Sequence, residues 1–276
     1  AEPHVCIKLK AIFTKIPKGR SQPFIFNNLP ETCHELLWFT ERYPLAINEN
    51  DLKKLTKAKK AYIKNVNELE AIMLPTYIPK QANLREGFKG RGYQLQATEL
   101  AHRCKKMLNA DEVGLGKTLE AILLMLHEET LPCLVTVQTH LPLQWKEKIE
   151  QFTHLRVHII KGTKPYSLPE ADVYITKYSC LSGWVNLFEK KYFNMAIFDE
   201  VQELRHDGTA KYNSEKTLCL NVEYVLGLTA SPIYNYAIEI FNIMDCIKEG
   251  CLGSVDDFMR EWLEGWGSKK CKDPNA

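Results

Sequence analysis

Short apolar runs alternate with longer mixed stretches from about residue 85 onward. The runs are rich in aliphatic and aromatic residues, as in strands that are buried on both faces. They read KMLNA, CLVTVQ, VHIIKG, DVYITKY, NMAIFDE and YVLGLTA. The intervening stretches, such as LPLQWKEKIEQF, have the period of amphipathic helices. This alternation predicts an α/β fold in which helices cover both faces of a parallel sheet.

The first 84 residues follow a different pattern and predict a small α+β domain. VCIKLKAIFTKIPKGR has partial apolar alternation, which predicts a strand or hairpin. PETCHELLWFTERYPLAI predicts a short helix that breaks before Pro44, and a longer amphipathic helix is expected to begin near Asn50 or Asp51. The segment PTYIPKQANLREGFKGRG, rich in Pro and Gly, leads out of this domain.

The longer helix of that domain has an apolar face and a basic face. The apolar positions are Leu52, Leu55, Tyr62, Val66 and Leu69. The lysines on the other side are Lys53, Lys54, Lys57, Lys60 and Lys64. They are available to contact phosphates, although a solvated face is the commoner role of such lysines and the one favoured here.

Composition narrows the classes of protein. Of the 276 residues 45% are hydrophobic and 25% are charged, which argues against disorder. There is no recognisable signal peptide and no apolar run long enough to span a bilayer. The 9 cysteines are scattered without a C-x-x-C pair, which favours a reducing, intracellular setting without a structural zinc site. A net charge of +2 means that any contact with nucleic acid depends on local patches.

The stretch NADEVGLGKTLEAI, residues 109–122, has most of a phosphate-binding loop. Gly116, Lys117 and Thr118 fit the pattern G-x-x-x-x-G-K-[ST], but Asp111 stands in place of its first glycine. Gly114 and Gly116 supply the backbone freedom needed to wrap an anion, and the helix that follows would direct its positive end at the phosphates. The alternative is a glycine-rich turn that merely enters a helix.

A second candidate element ends another apolar run. MAIFDEVQEL places Asp199 and Glu200 at the end of a predicted strand. An aspartate there can hold the Mg²⁺ that bridges the phosphates, and the next glutamate can orient and deprotonate water. Alone such a pair is an ordinary solvated turn. Together with Lys117 it predicts phosphoryl chemistry.

In combination, these segments resemble the first RecA-like lobe of superfamily 2 helicase-like ATPases, most closely the Swi/Snf-related DNA-dependent ATPases. The resemblance covers about residues 85–250. The loop of that family reads close to DEMGLGKT, which is similar to DEVGLGKT at 111–118. It implies a RecA-like parallel sheet sandwiched by helices, with ATP and Mg²⁺ as cofactors. Lys117 would bind the outer phosphates, Thr118 and Asp199 the metal, and Glu200 the attacking water.

The resemblance also implies an adenine-binding segment. RGYQLQA is similar to the upstream glutamine motif of the family. Gln94 would then hydrogen-bond the adenine, with Arg91 and Tyr93 framing the pocket. Taken by itself, the segment is equally a helix start with an incidental glutamine.

Two further segments resemble those that follow the nucleic-acid strand in the family. In LVTVQTHLPLQWKEKIEQF, Thr139 and His140 are the candidates for phosphate contact, while Trp145 is expected to pack rather than stack on a base. In YITKYSCLS, Thr176 and Tyr178 would lie along the nucleic-acid groove. Outside that resemblance these are ordinary strand residues, and a lone histidine is more often structural.

A coupling segment completes the set. GLTASPIYN is similar to the motif that links phosphate sensing to the nucleic-acid face, which assigns this role to Thr229 and Ser231. Their hydroxyls are equally able to cap a helix. Gln202, in Asp-Glu-Val-Gln, can donate and accept hydrogen bonds and would relay between hydrolysis and these hydroxyls.

The leading hypothesis is therefore the first ATPase lobe of a motor that moves on double-stranded DNA through backbone contacts. Residues 251–276 resemble the start of a connector to a second RecA-like lobe, whose own motifs are absent from the sequence. Such lobes supply arginines for phosphoryl transfer, so this chain alone is expected to bind ATP and hydrolyse it weakly. The alternatives are a non-catalytic ATP- or DNA-binding adaptor, docked to a protein partner through residues 1–84, and a small-molecule P-loop kinase. RNA remains open as the nucleic acid.

Overall fold

The computed structural model describes residues 2–13, 16, 19, 23–26, 29–43, 45–233 and 236–263. The chain divides into two compact units, residues 1–75 and 76–276. The division falls before the boundary predicted at residue 84. Residues 76–84 join the second unit because the Glu99 carboxylate accepts hydrogen bonds from the Tyr77 hydroxyl and, at 2.7 Å, from the Lys80 amide.

The first unit is built from three helices over its described residues, α1 (Pro3–Ile12), α2 (Pro30–Arg42) and α3 (Glu49–Met73). The prediction of a strand or hairpin at the start of the chain is wrong, because these residues form helix α1. The described residues of this unit are therefore helical and not α+β. Val5 and Leu9, four residues apart, are buried together on α1, so the helical period dominates over the partial alternation. The predicted short helix is confirmed as α2, which ends at Arg42; Pro44 lies outside the described residues.

Helix α3 begins slightly before the expected position. The Asn48 side chain accepts a hydrogen bond from the Asp51 amide at 2.8 Å and so caps the helix. The predicted apolar face is half-buried except for Leu52, which is 44% exposed. The five predicted lysines are all exposed.

The second unit is a six-stranded parallel sheet with the order β1-β6-β5-β2-β4-β3. All six predicted strands are confirmed, as β1 (Lys106–Asn109), β2 (Cys133–Val137), β3 (Val157–Ile159), β4 (Val173–Lys177), β5 (Met195–Asp199) and β6 (Tyr224–Leu228). The helices are α4 (Gly92–Cys104), α5 (Lys117–Leu124), α6 (Pro142–Phe152), α7 (Val185–Glu189), α8 (Ala210–Asn221), α9 (Ala237–Ile247) and α10 (Val255–Trp262).

Two hydrophobic cores lie on opposite faces of this sheet. Along β5, Ala196 and Phe198 belong to one core and Met195 and Ile197 to the other, because successive side chains of a strand point to opposite faces. Helices α4, α5 and α6 cover one face, and α7, α8 and α9 cover the other. The predicted layered α/β architecture, a RecA-like fold, is therefore confirmed.

The last described part of the chain packs on the same unit. The Phe258 ring of α10 lies 5.2 Å from the Phe241 ring of α9. The connector role predicted for residues 251–276 stays a prediction, and residues 264–276 lie outside the described part. None of the described helices is long and apolar enough to cross a membrane.

Candidate nucleotide site

The carboxyl ends of three neighbouring strands bring the predicted site residues together. Leu228, which ends β6, pairs with Asn109 at the end of β1 and with Asp199 at the end of β5. The loops after these strands therefore leave from one edge of the sheet, where ligands bind in open parallel sheets.

The loop between β1 and α5 has the backbone of an anion-binding turn. Gly114 and Gly116 have φ values of +89° and +92°, a region that residues with a Cβ adopt only at a cost. Gly116 is also the N-cap residue of α5, so the free amides of that helix point into the loop. A glycine-rich turn that merely enters a helix would have the same φ values, so it is the position of the loop beside Lys117 and Asp199 that favours an anion site.

Lys117, the first residue of α5, folds back over this loop. Its ammonium donates to the carbonyl oxygens of Asp111 at 2.5 Å and Glu112 at 2.9 Å. Both acceptors are neutral, so a phosphate oxygen would compete well for the same ammonium. Thr118, one residue further, is half-buried at the start of the helix.

Gln94 lies against the loop rather than beside an open cleft. Its amide nitrogen donates to the Leu115 carbonyl at 3.0 Å, and its amide oxygen accepts from the Arg91 backbone at 3.0 Å. A Cβ at Gly116 would lie only 2.4 Å from the Gln94 nitrogen. The Tyr93 hydroxyl donates to the same Leu115 carbonyl at 2.8 Å. Gln94 thus supports the loop, and its contact with adenine stays a prediction.

Beneath the loop lies the buried carboxyl group of Glu120, a residue outside the predicted motifs. The Asn109 amide nitrogen donates to Glu120 Oε2 at 2.5 Å, while its oxygen accepts from the Asp111 amide at 2.9 Å. Burial raises the pKa of Glu120 to about 7, and the charge of Asp111 adds to that effect against the opposing influence of Asn109 and Lys117. The signal in the sequence was an acidic residue inside the apolar run LEAILLML.

Asp199, at the end of β5, is held by a buried indole. Trp145 on α6 is 2% exposed, and its Nε1 donates to Asp199 Oδ2 at 2.7 Å. Burial raises the pKa of Asp199, and the Trp145 hydrogen bond partly offsets this rise. The packing role expected for Trp145 is confirmed, and its contact with the predicted metal ligand was not foreseen.

Glu200 and Gln202 are in direct contact. Glu200 has a φ of +56°. Gln202 Nε2 donates a hydrogen bond to Glu200 Oε2 at 2.6 Å. The side-chain oxygen of Gln202, Oε1, is buried without a hydrogen-bond partner among the described residues. Thr229 is also buried, with its hydroxyl accepting from the Ser231 amide at 3.0 Å. The predicted relay from Gln202 to these hydroxyls stays a prediction.

The four residues predicted to contact nucleic acid fall into two groups. Thr139 and His140 are exposed just beyond the end of β2. Thr176 and Tyr178 are 1% and 6% exposed, and the Tyr178 hydroxyl donates to the Asp199 carbonyl at 2.8 Å. Thr176 lies within β4 (Val173–Lys177) and Tyr178 begins the 3₁₀ turn after it, so both side chains are buried in the described structure and their contact with nucleic acid stays a prediction.

This donor set fits a nucleoside triphosphate with Mg²⁺. Free amides and an ammonium suit phosphate oxygens, and a hydroxyl and a carboxylate are the oxygen ligands that Mg²⁺ prefers. Thr118 and Asp199 would supply the metal ligands. Glu200, at the end of the same strand as Asp199, is available to handle a water.

Comparison with known proteins agrees with this chemistry. The sequence profile described as the SNF2-related domain matches residues 93–270. An uncharacterised ATP-dependent helicase of Bacillus subtilis, YqhH, is 30% identical over 211 residues, which are 72% of this chain and 35% of that protein. A SWI/SNF-related regulator of chromatin from Xenopus tropicalis is 27% identical, over 54% of this chain and 16% of its own length.

A solved structure has the same fold. The Sulfolobus solfataricus SWI2/SNF2 ATPase core in complex with double-stranded DNA matches with a TM-score of 0.59 and 25% identity, over 67% of this chain and 41% of that one. The chain thus spans about a third of the length of the Bacillus helicase and two fifths of this core.

Proposed function

The chain belongs to the SNF2-related family, and from this premise we propose that it is the first ATPase lobe of a DNA-dependent motor. The motor would use ATP hydrolysis to move on double-stranded DNA or to remodel complexes of DNA and protein. The observation that carries the proposal is the meeting of the glycine loop, Lys117 and the Asp199–Glu200 pair at one edge of the sheet.

Each of these side chains has a distinct task in the proposal. Lys117 leaves the two loop carbonyls to bind the outer phosphates. Thr118 and Asp199 hold Mg²⁺, which when bound neutralises charge on the phosphoryl group. Glu200 orients the attacking water and accepts its proton, and the 2.6 Å hydrogen bond from Gln202 fixes the direction of that carboxylate.

Full activity is proposed to need groups from a second lobe. The relatives extend well beyond the part that this chain matches. Arginines supplied across an interface accelerate phosphoryl transfer by about a thousandfold or more. The chain alone should therefore bind ATP, hydrolyse it slowly, and respond to DNA only when the second lobe is added.

Contact with DNA is assigned to the exposed Thr139 and His140 after β2. Their position at the nucleotide edge of the sheet supports this assignment, because a motor must connect hydrolysis to the strand it follows. Contacts of this kind reach phosphates rather than bases, so binding should depend on salt and little on sequence.

The test is ATP hydrolysis with and without double-stranded DNA, for the chain alone and together with a second lobe supplied in trans. Lys117→Ala should abolish nucleotide binding, and Glu200→Gln should keep binding while hydrolysis is lost. The matched controls are Lys190→Ala and Glu189→Gln, two exposed positions at the end of α7. Nucleotide binding without turnover in any combination would favour the adaptor instead. Vigorous DNA-stimulated turnover by the chain alone would contradict the need for a second lobe.

A further inference from the structure

Two histidines and a glutamate converge on the second unit. His102 lies in the last turn of α4, His127 follows α5, and Glu129 lies in the short 3₁₀ turn Glu128–Thr130. One nitrogen of each imidazole and one carboxylate oxygen all lie within 4.8 Å of one another. The closest pair, His102 Nε2 and Glu129 Oε1, is 2.7 Å apart.

We propose that His102, His127 and Glu129 form a Zn²⁺ site. Imidazole nitrogen and carboxylate oxygen are ordinary zinc ligands at about 2.0–2.2 Å, which places neighbouring ligand atoms of a tetrahedral site about 3.3 Å apart. The three atoms approach this spacing closely enough that side-chain rotation brings them to the metal. Three protein ligands leave a fourth position for water, and the half-exposed Glu129 carboxylate leaves a path from solvent.

The supporting backbone is already organised. The Thr130 hydroxyl donates to the carbonyls of His127 at 2.7 Å and Leu124 at 3.1 Å, and Thr130 is fully buried. This bond closes the turn that places His127 and Glu129 on the same side. The His102 ring packs face to face with His127 at 4.1 Å and with Tyr224 at 5.6 Å between centroids. Because an imidazole binds a metal in its own ring plane, Zn²⁺ binding would turn His102 and His127 out of this near-parallel stack while the backbone that carries them stays in place.

The site is separate from the nucleotide edge. Tyr224 begins β6 and Leu228 ends it at the nucleotide side, a separation of about 13 Å along the strand. Helices α4 and α5 connect the two places, since Gln94 and Lys117 begin these helices beside the phosphate loop. Zn²⁺ would join the far ends of the same two helices.

The experiment uses the tag-free chain after treatment with a chelator. Co²⁺, which takes tetrahedral zinc sites and absorbs visible light there, is titrated first, and Zn²⁺ is then measured by its displacement of Co²⁺. One Co²⁺ per chain is expected, with the absorption of a tetrahedral nitrogen and oxygen site. His102→Ala and His127→Ala should weaken binding at least tenfold, and the exposed His154→Ala should leave it unchanged.

Two controls separate ligand loss from misfolding. His102→Ala also removes a ring that stacks on Tyr224, so circular dichroism and the metal-free melting temperature are compared for every variant. Glu129→Gln keeps the shape of a side chain that is 52% exposed and provides a second test, with weaker binding expected. Zn²⁺ should raise the melting temperature of the wild type and leave that of the histidine variants unchanged.

Equal metal affinity in the wild type and in both histidine variants would overturn the proposal. So would the absence of binding at micromolar metal. Near-ultraviolet bands of a cobalt–thiolate bond would likewise reject it, since they would place the metal on cysteines.

Discussion

Replacing Trp145 by phenylalanine tests whether the indole controls the ionisation of Asp199. The substitution deletes the 2.7 Å hydrogen bond from Trp145 Nε1 and leaves a buried carboxylate oxygen without that donor. A hydrogen bond to a charged group contributes about 1.5–3 kcal/mol. The ionised form of Asp199 loses this stabilisation, so its pKa, already raised by burial, should rise further.

The consequence appears in the dependence of nucleotide binding on pH and Mg²⁺. A protonated carboxyl group does not bind the cation, so the affinity gained from Mg²⁺ is present above the pKa of Asp199 and is lost as the pH falls through it. In Trp145→Phe this loss should begin at higher pH. Where the wild type is ionised and the variant is protonated, the affinity gained from Mg²⁺ should shrink by about 10- to 150-fold, which corresponds to about 1.5–3 kcal/mol.

The assay is calorimetric titration with ADP, in Mg²⁺ and in a chelator, over a pH series. Trp184→Phe is the matched control, because Trp184 is also 2% exposed and its Nε1 also donates to an oxygen, the Gly162 carbonyl at 3.1 Å. Both variants lose a buried indole and should be destabilised, but only Trp145→Phe should alter the Mg²⁺ dependence. The same Mg²⁺ dependence and pH midpoint in both would refute a role of Trp145 in tuning Asp199.

Three further predictions follow from the same edge of the sheet. The pKa of Glu120 is about 7 in the folded chain, against an ordinary value of 4.5. The contribution of Glu120 to folding stability is therefore fully present below pH 4.5 and is lost as the pH rises through 7. At pH 8, the free energy of unfolding of Glu120→Gln, measured in urea, should therefore be roughly 3 kcal/mol higher than that of the wild type, and this difference should shrink toward pH 5. A difference that stays constant with pH would contradict this reasoning. Gly116→Ala should weaken nucleotide binding for two reasons, the positive φ at this position and the clash of the new Cβ with the Gln94 amide. Adding Gln94→Ala should recover only the part that is due to the clash. If nothing is recovered, the whole effect comes from backbone strain. Thr139→Ala combined with His140→Ala should weaken duplex DNA binding about tenfold at fixed salt in an anisotropy assay, and an unchanged affinity would remove this loop from the proposed interface.

The predictions that the sequence supported well were those with strong local signals. Four of the strands are almost wholly buried and the edge strands β1 and β3 are half-buried, yet all six are short apolar runs and were recognisable without knowledge of their neighbours. The loop around Lys117 and the pair Asp199–Glu200 were found because backbone freedom and charge at strand ends are local properties. The partial alternation of apolar residues near Val5 led to a wrong prediction of a strand, because a few apolar residues fit a strand and a helix equally well.

Only the tertiary structure specified the contacts between residues that are far apart in the chain. The order of the strands puts Asp199 beside α6, and only then does the Trp145 indole become its hydrogen-bond donor. Burial of Thr176 at the end of β4, and of Tyr178 in the turn after it, likewise depends on what packs over them, which neighbouring residues in the sequence do not specify. The cluster of His102, His127 and Glu129 exists because α4 and α5 pack side by side. Local sequence determines which elements form, whereas packing determines which side chains meet, since hydrogen bonding and desolvation act through space rather than along the chain.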